Sequence, residues 1–194
     1  MDDIVKQAMS KWPNVPHCYG WLGLDARGNW YMRDDRAQAQ GTFASGITGA
    51  KGSRLHHAKL IDFIQRNYAY DDSGQWYFQN GPQRVYVELE ATPWVWRISA
   101  NGDGSDGSER PLIANQAGQP CQWHRSLVDE QGWLYCETDR GFGLVHTLDM
   151  NAAADAIERG AWQVEDVLRT SLPQRYGYIT SPQQQQQATK KPVQ

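Results

Sequence analysis

Seven side chains between residues 80 and 97 have the chemistry of a recognition surface. Several of them alternate with apolar residues in the stretch Trp76 to Arg97, WYFQNGPQRVYVELEATPWVWR. Arginine and aromatic side chains contribute most of the binding energy at protein interfaces, and amide side chains can add fixed hydrogen bonds. The predicted binding residues are Asn80, Gln83, Arg84, Tyr86, Trp94, Trp96 and Arg97.

The same residues also have a purely structural interpretation. Trp94 and Trp96 could lie in the core instead of at the surface. Arg84 could pair with Glu88 or Glu90 on its own strand face, and an exposed arginine–glutamate pair contributes little to stability. The sequence leaves both interpretations open.

A metal site would need the cysteine and histidine side chains. Cys121 and His124 have the spacing of a zinc-ligand pair, and His17, Cys18 and Cys136 could supply further ligands. Because only one pair has ligand spacing, buried thiols are the expected state. The sequence therefore predicts no metal and no other cofactor.

Catalytic patterns are incomplete wherever they begin. His56 and His57 could act as acid or base, but no nucleophile motif or carboxylate pair flanks them. Residues 46–53 lack the Gly-Lys-Ser/Thr order of a phosphate loop, and residues 101–112 lack the central glycine and final glutamate of a calcium loop. No catalytic residue is predicted. A hydrolase-like enzyme using these histidines or the Cys121/His124 pair is the rival hypothesis.

The central stretch predicts a β-hairpin with a third strand behind it. Asn80-Gly81 suits a tight hairpin turn, because both residue types tolerate positive φ. Strict alternation over residues 84–90 predicts a sheet with one buried face. Residues 94–97 predict the third strand.

Helices and further hairpins complete the pattern. Apolar spacing predicts helices near residues 2–12 and 53–67, and further helices after residue 151. Residues 34–52 are polar and glycine-rich and predict a surface loop. The predicted fold class is α+β, with a mainly antiparallel sheet of β-hairpins and helices packed on one face.

One turn pattern occurs three times. It is Asp25-x-x-Gly28, Asp71-x-x-Gly74 and Asp129-x-x-Gly132, each followed after one residue by Trp-Tyr or Leu-Tyr. It indicates either a repeated ligand-binding unit or the ordinary requirements of hairpin turns. The order of helices and hairpins also predicts a duplicated α-β-β unit with a third, more diverged hairpin.

Composition shifts along the chain predict four segments. They are an α-β-β-type domain (1–98), a Gly/Asp/Ser-rich linker or loop (99–111), a smaller β-rich part with terminal helices (112–180) and a disordered tail (181–194). The tail contains five consecutive glutamines and no apolar pattern.

Charge and composition argue against several classes of protein. The 194 residues include 19 basic and 22 acidic side chains, net −3, so no nucleic-acid partner is expected. No signal peptide and no apolar run of membrane-spanning length is recognisable. Three cysteines without framework spacing predict reduced thiols in a cytoplasmic protein. Nine tryptophans and nine tyrosines are many for this length, and their simplest role is to fill a core.

Three segments resemble a family of small proteobacterial proteins of unknown function. They are residues 11–16, residues 20–30 and residues 78–87, the last reading FQNGPQRVYV. The likeness covers about residues 1–98 and implies a bacterial, cytoplasmic protein, but no activity, cofactor or catalytic residue. The leading hypothesis is a non-catalytic binding or protein-interaction module. Its partner, another protein or a small ligand, is not identified by the sequence.

Overall fold

The chain forms two compact units in the computed structural model, which describes residues 1–99 and 111–190. The first unit contains residues 1–25, 29–91 and the chain from Gly177 onward, and the second contains residues 26–28 and 92–176. The division thus falls after Ala91, earlier than the linker predicted at 99–111. Residues 100–110 lie outside the described residues, and they include most of that linker and most of the segment compared with a calcium loop. The α+β class with mainly antiparallel sheets is confirmed.

The helices and strands are short. The helices are α1 (Asp3–Lys11), α2 (Asp35–Gln40), α3 (Ala58–Arg66), α4 (Met150–Glu158), α5 (Leu172–Tyr176) and α6 (Pro182–Lys190). The strands are β1 (Cys18–Leu24), β2 (Trp30–Met32), β3 (Ser53–Arg54), β4 (Tyr68–Tyr70), β5 (Trp76–Asn80), β6 (Gln83–Leu89), β7 (Trp94–Ser99), β8 (Leu112–Ala114), β9 (Pro120–Cys121), β10 (Trp123–Asp129), β11 (Leu134–Thr138), β12 (Gly141–Val145) and β13 (Val164–Val167). Among the helices of the described ranges, none is long and apolar enough to cross a membrane.

The two sheets repeat one topology. The first has the order β3-β2-β1-β6-β5-β4, and the second has β9-β8-β7-β12-β11-β10 with β13 added beside β10. Counted in chain order, the first strand of each six-stranded sheet pairs in parallel with the sixth, as β1 does with β6 and β7 with β12. The other neighbours that both sheets share are antiparallel. The duplicated element is therefore a six-stranded sheet, not the predicted α-β-β unit.

The second half of the repeat has a constant residue offset. Asp71 directly follows the fourth strand of the first sheet, Asp129 is the last residue of the fourth strand of the second, and Gln83 and Gly141 both begin the sixth strand. Each pair is 58 positions apart. The Asp25 turn joins β1 to β2, a different place in the topology, so only the second and third copies of the turn pattern are equivalent.

The Asp-x-x-Gly pattern is a hairpin turn in these two copies. One carboxylate oxygen of Asp71 accepts from the amides two and four residues later, and the same oxygen of Asp129 does likewise, at 2.8–3.1 Å. The other oxygen accepts a tyrosine hydroxyl, from Tyr86 at 3.0 Å and from Tyr135 at 2.8 Å. These internal bonds favour the turn interpretation over a ligand site.

The central hairpin forms as predicted, with a small difference in its turn. Asn80 pairs with Gln83, so the two loop residues are Gly81 and Pro82. Gly81 has φ +57°, which suits the first loop residue of a type II′ turn. The strand predicted at residues 94–97 forms as β7, but it pairs with β12 and β8 in the second sheet and does not lie behind the central hairpin.

The first sheet carries helices on both faces instead of one. On one face, Phe63 of α3 meets Phe78 edge-on with ring centroids 5.4 Å apart. Phe78 pairs with Val85 and therefore shares its face. On the opposite face, Glu88 accepts a backbone bond from Gln183 in α6. Each face of the central hairpin thus has a helix in contact with it.

The predicted disordered tail is helical where it is described. Residues 182–190 form α6, which begins with Pro182 at a favoured first position. The Glu88 carboxylate accepts from the Ser181 hydroxyl at 2.5 Å and from the Gln183 amide at 3.0 Å. A carboxylate at a helix N-terminus satisfies otherwise unpaired amides and is favoured by the helix dipole.

Three further local predictions are wrong. Residues 34–52 include α2 and the buried Phe43, and the preceding Arg33 is completely buried with its guanidinium bonded to three backbone carbonyls. The helix predicted near residues 53–67 begins later, because Ser53 lies in β3 and His57 caps α3, its Nδ1 accepting from the Leu60 amide at 3.3 Å. The last predicted helix, near residues 164–168, is largely strand β13, whose amides and carbonyls pair with β10.

The second unit buries its own aromatic core. Helix α4 contributes Ala153 and Ala156. The cluster also contains Trp96, Ile98, Ile113, Leu134, Cys136, Val145 and Trp162. The Trp123 and Trp162 rings are stacked at 5.8 Å. Much of the tryptophan content therefore serves packing.

Candidate ligand-binding groove

The structure does not assemble the seven predicted binding residues into one row. Arg84 and Tyr86 belong to the first unit, whereas Trp94, Trp96 and Arg97 belong to the second.

The three residues of the second unit make internal contacts. Trp96 is completely buried, and its Nε1–H donates to the Cys136 carbonyl at 2.8 Å. The Trp94 ring lies 6.0 Å from it, nearly parallel. The Arg97 guanidinium binds both carboxylate oxygens of Asp149, at 2.6 and 3.1 Å. The core interpretation fits Trp96 best.

Tyr86 is also buried. Its ring stacks on Tyr19 at 4.5 Å, and its hydroxyl donates to Asp71. Burial raises the pKa of Tyr86 to about 12, so its hydroxyl keeps its proton at neutral pH. Arg84 places its guanidinium 4.5 Å from the centre of the Tyr77 ring. Arg84 and Tyr86 thus form an internal polar–aromatic cluster.

Asn80 and Gln83, by contrast, line an open groove in the first unit. The floor comes from strands β1, β5 and β6 through Cys18, Leu22, Phe78 and Val85. The groove encloses about 280 Å³.

One wall and the mouth of the groove are also apolar. Helix α3 supplies the wall through Leu60, Phe63 and Ile64. This follows from its amphipathic spacing, which places these three side chains on one helix face. Trp21 and Met32 form the mouth and remain 43% and 50% exposed. Exposed large apolar side chains beside a concavity are typical of a binding site.

The polar end of the groove is neutral. Gln83 is held by a bond from its Nε2–H to the Pro16 carbonyl at 2.9 Å. The Asn80 side chain makes no hydrogen bond to any residue in the described part of the chain and is exposed. No lining residue is charged. The groove thus combines a large apolar surface with two amides that can fix one polar group of a ligand.

The cysteine and histidine candidates are dispersed. Cys18 lines the groove, whereas Cys121, His124 and Cys136 lie in the second unit. Cys136 is completely buried beside Ser126, and burial raises the pKa of its thiol to about 12. Burial also raises the pKa of Cys121, so neither thiol is activated as a nucleophile.

In the part of the chain that the structure describes, these candidates do not assemble into a metal-binding group. Within residues 1–99 and 111–190, no three His, Cys, Asp or Glu side chains are placed to hold a metal ion. His56 and His57 are exposed at the start of α3, where His57 acts as the cap. Lys51, from the segment compared with a phosphate loop, pairs with Glu90 at 2.7 Å.

The sequence pattern indicates the polar end of the groove but not its apolar part. It offers Cys18 only as a metal ligand, and it includes neither Trp21 nor Met32 among the predicted binding residues. Their one sequence signal is that large apolar residues occur on short strands next to a hairpin turn. That signal does not distinguish a groove from a core.

Together, the fold and the groove define a two-unit α+β protein with a duplicated six-stranded sheet and one apolar groove in its first unit. The chain belongs to the DUF2944 family, whose description reads "Protein of unknown function (DUF2946)" and whose model matches residues 1–183.

Two solved structures are similar to this chain. A DUF1285 family protein from Silicibacter pomeroyi DSS-3 has 11% identity and a TM-score of 0.47, over 73% of this chain and 72% of that one. A DUF1285 family protein from Shewanella baltica OS155 has 13% identity and a TM-score of 0.45, over 70% and 91%. Among curated proteins, none matches this chain.

Proposed function

We propose that this protein is a non-catalytic binding module that holds a small, uncharged and largely apolar ligand in the groove of its first unit. The observation that carries the proposal is the groove itself, an open apolar concavity with neutral amides at one end. Its volume of about 280 Å³ is close to the lower end of the range for small-molecule sites, roughly 300–1,000 Å³.

The chemistry of the lining supports an uncharged ligand. A charged group placed among these apolar side chains would lose its hydration without an opposite charge to replace it. An apolar body gains instead from burial, at about 25 cal/mol for each Å² removed from water. Asn80 and Gln83 are retained as binding residues. Arg84, Tyr86, Trp94, Trp96 and Arg97 are proposed to act in packing.

The proposal includes a source and a compartment. We place the protein in the cytoplasm of a proteobacterium. The sequence resemblance over residues 1–98 supports the source, and the three free cysteines support a reducing compartment.

A fluorescence titration with N-phenyl-1-naphthylamine, a neutral apolar dye, tests the proposal. The wild-type protein should give a saturable increase in emission. Met32→Glu should weaken binding at least tenfold, because it places a charge at the mouth of the groove. Ile47→Glu is the matched control, since Ile47 is 53% exposed, lies in the same unit and does not line the groove. Absence of saturable binding, or an equal loss in both variants, would contradict the proposal.

A further inference from the structure

We infer that the ligand of the groove carries a neutral planar aromatic ring of about the size of indole. This inference rests on the proposed function and specifies its ligand class. It comes from a comparison of the two units, because the second unit places its own indole rings at the position equivalent to the groove.

The equivalence follows from the strand registers. In the first sheet Val87 pairs with Leu22, and in the second Val145 pairs with Trp96. Val87 and Val145 correspond in the 58-residue register, so Trp96 occupies the position of Leu22.

The neighbouring pair gives the same result. Cys18 pairs with Val85 in the first sheet, and Trp94 pairs with Gly143 in the second. Val85 and Gly143 correspond, so Trp94 occupies the position of Cys18. β1 is irregular between Cys18 and Leu22, whereas β7 continues regularly from Trp94 to Trp96.

The second unit makes room for these rings. A Cβ on Gly143 would lie 2.6 Å from Nε1 of Trp96, so only glycine leaves space for the indole. Trp96 is completely buried, and Trp94 lies nearly parallel to it. At the equivalent positions, the first unit has the smaller Cys18 and Leu22. The volume that two indoles fill in one copy is therefore in part open in the other.

The remaining walls suit an aromatic guest. Phe63 and Phe78 already meet edge-on, at 84° between their ring planes, and an inserted ring can add a further aromatic contact of this type. The lining carries no charge, which matches a neutral ring. The exposed amide of Asn80 can accept from one N–H donor, much as a backbone carbonyl accepts from Trp96 in the second unit.

Protection of Cys18 from alkylation tests the inference. The protein is treated with iodoacetamide alone, with indole, or with octan-1-ol, which has the same number of non-hydrogen atoms as indole. Labelling is followed by peptide mass spectrometry, with the half-buried Cys121 as internal control. Indole should slow labelling of Cys18 at concentrations at least tenfold lower than octan-1-ol requires, and should leave Cys121 unchanged.

Each outcome has a distinct meaning. If octan-1-ol protects Cys18 as well as indole does, the aromatic inference is wrong and the proposed apolar groove stands. If neither compound protects Cys18, both are wrong.

A double variant gives an independent test. Leu22→Trp with Val85→Gly copies the Trp96/Gly143 pair of the second unit into the groove. A folded double variant, checked by circular dichroism, should resemble the indole-saturated protein, with Cys18 labelled slowly and no further effect of indole. Wild-type labelling and undiminished indole protection in the folded variant would overturn the inference. If the variant does not fold, the wild-type titration decides.

Discussion

Replacement of Glu88 by alanine should release the C-terminal helix α6 without unfolding the sheets. Glu88 is only 1% exposed, and its carboxylate accepts bonds from Ser181 and Gln183. Hydrogen bonds to a charged group contribute about 1.5–3 kcal/mol each. Burial opposes ionisation, so the sum is an upper bound, and we expect a loss of about 3 kcal/mol. An isolated helix of nine residues is marginal in water, so α6 depends on its attachment to the sheet, and the bond from Gln183 to Gln38 is another side-chain contact that holds its start.

Hydrogen exchange measured by mass spectrometry separates local release from global unfolding. In Glu88→Ala, amides of residues 182–190 should exchange about a hundredfold faster, since 1.4 kcal/mol corresponds to a factor of ten. Amides of β5 and β11 should stay protected. Glu90→Ala is the matched control, because Glu90 pairs with Lys51 at a partly exposed position and should matter by less than about 1 kcal/mol. Unchanged protection of residues 182–190 in Glu88→Ala would refute the reasoning.

The same carboxylate should give a recognisable pH dependence. Burial raises the pKa of Glu88 above its ordinary value of 4.5, although Ser181, Gln183 and Arg33 act in the opposite direction. The folded protein therefore binds a proton at this site more readily than the unfolded chain. The stability that this preferential protonation adds is fully present below pH 4.5 and is lost as pH rises through the folded pKa, and it is separate from the bonds to Ser181 and Gln183 that Glu88→Ala removes. In Glu88→Gln this part of the pH dependence should disappear from the free energy of unfolding measured in urea.

Two other substitutions test the turn and the ion pair between Arg97 and Asp149. Gly74→Ala should lower the free energy of unfolding in urea by at least about 3 kcal/mol, because its Cβ would lie 2.1 Å from the Gly177 carbonyl oxygen. The equivalent Gly132→Ala has nearly the same positive φ but open space around it, and should cost about 1 kcal/mol. Equal losses in the two variants would contradict the close approach at Gly74. Asp149→Asn should cost about 1–2 kcal/mol, because it removes the charge that holds Arg97. Although burial alone would raise the pKa of Asp149, its bonds to Arg97 and a backbone amide lower it below 3.8. The stability it adds is therefore present above pH 3.8 and is lost as pH falls through the folded pKa. A variant as stable as wild type at pH 7 would show that this pair contributes nothing.

Local sequence was sufficient for the hairpins. Alternation over residues 84–90 and Gly81 at the turn specify the β5–β6 pair, because strand periodicity and positive φ are properties of a few neighbouring residues. For the same reason α1 is close to its predicted range. The Asp-x-x-Gly turns at Asp71 and Asp129 satisfy their own amides within four residues.

Which strand face meets solvent was decided by residues far away in the chain. Tyr86 and Glu88 follow a pattern that predicts an exposed face, yet α6, about 95 residues later, covers it. The glutamine-rich tail has too little apolar surface to form a helix alone, and its first amides find partners in the Glu88 carboxylate and the Ser181 hydroxyl.

The groove likewise depends on tertiary structure. For the central hairpin, the sequence by itself determined the two strands, the turn and the two amides at its end, Asn80 and Gln83. The tertiary structure alone decided that one copy of the sheet fills a position with Trp96 while the other, with Leu22, leaves it partly open. The physical reason is that a side chain's burial is set by what packs on it, and packing partners come from parts of the chain that no local pattern connects.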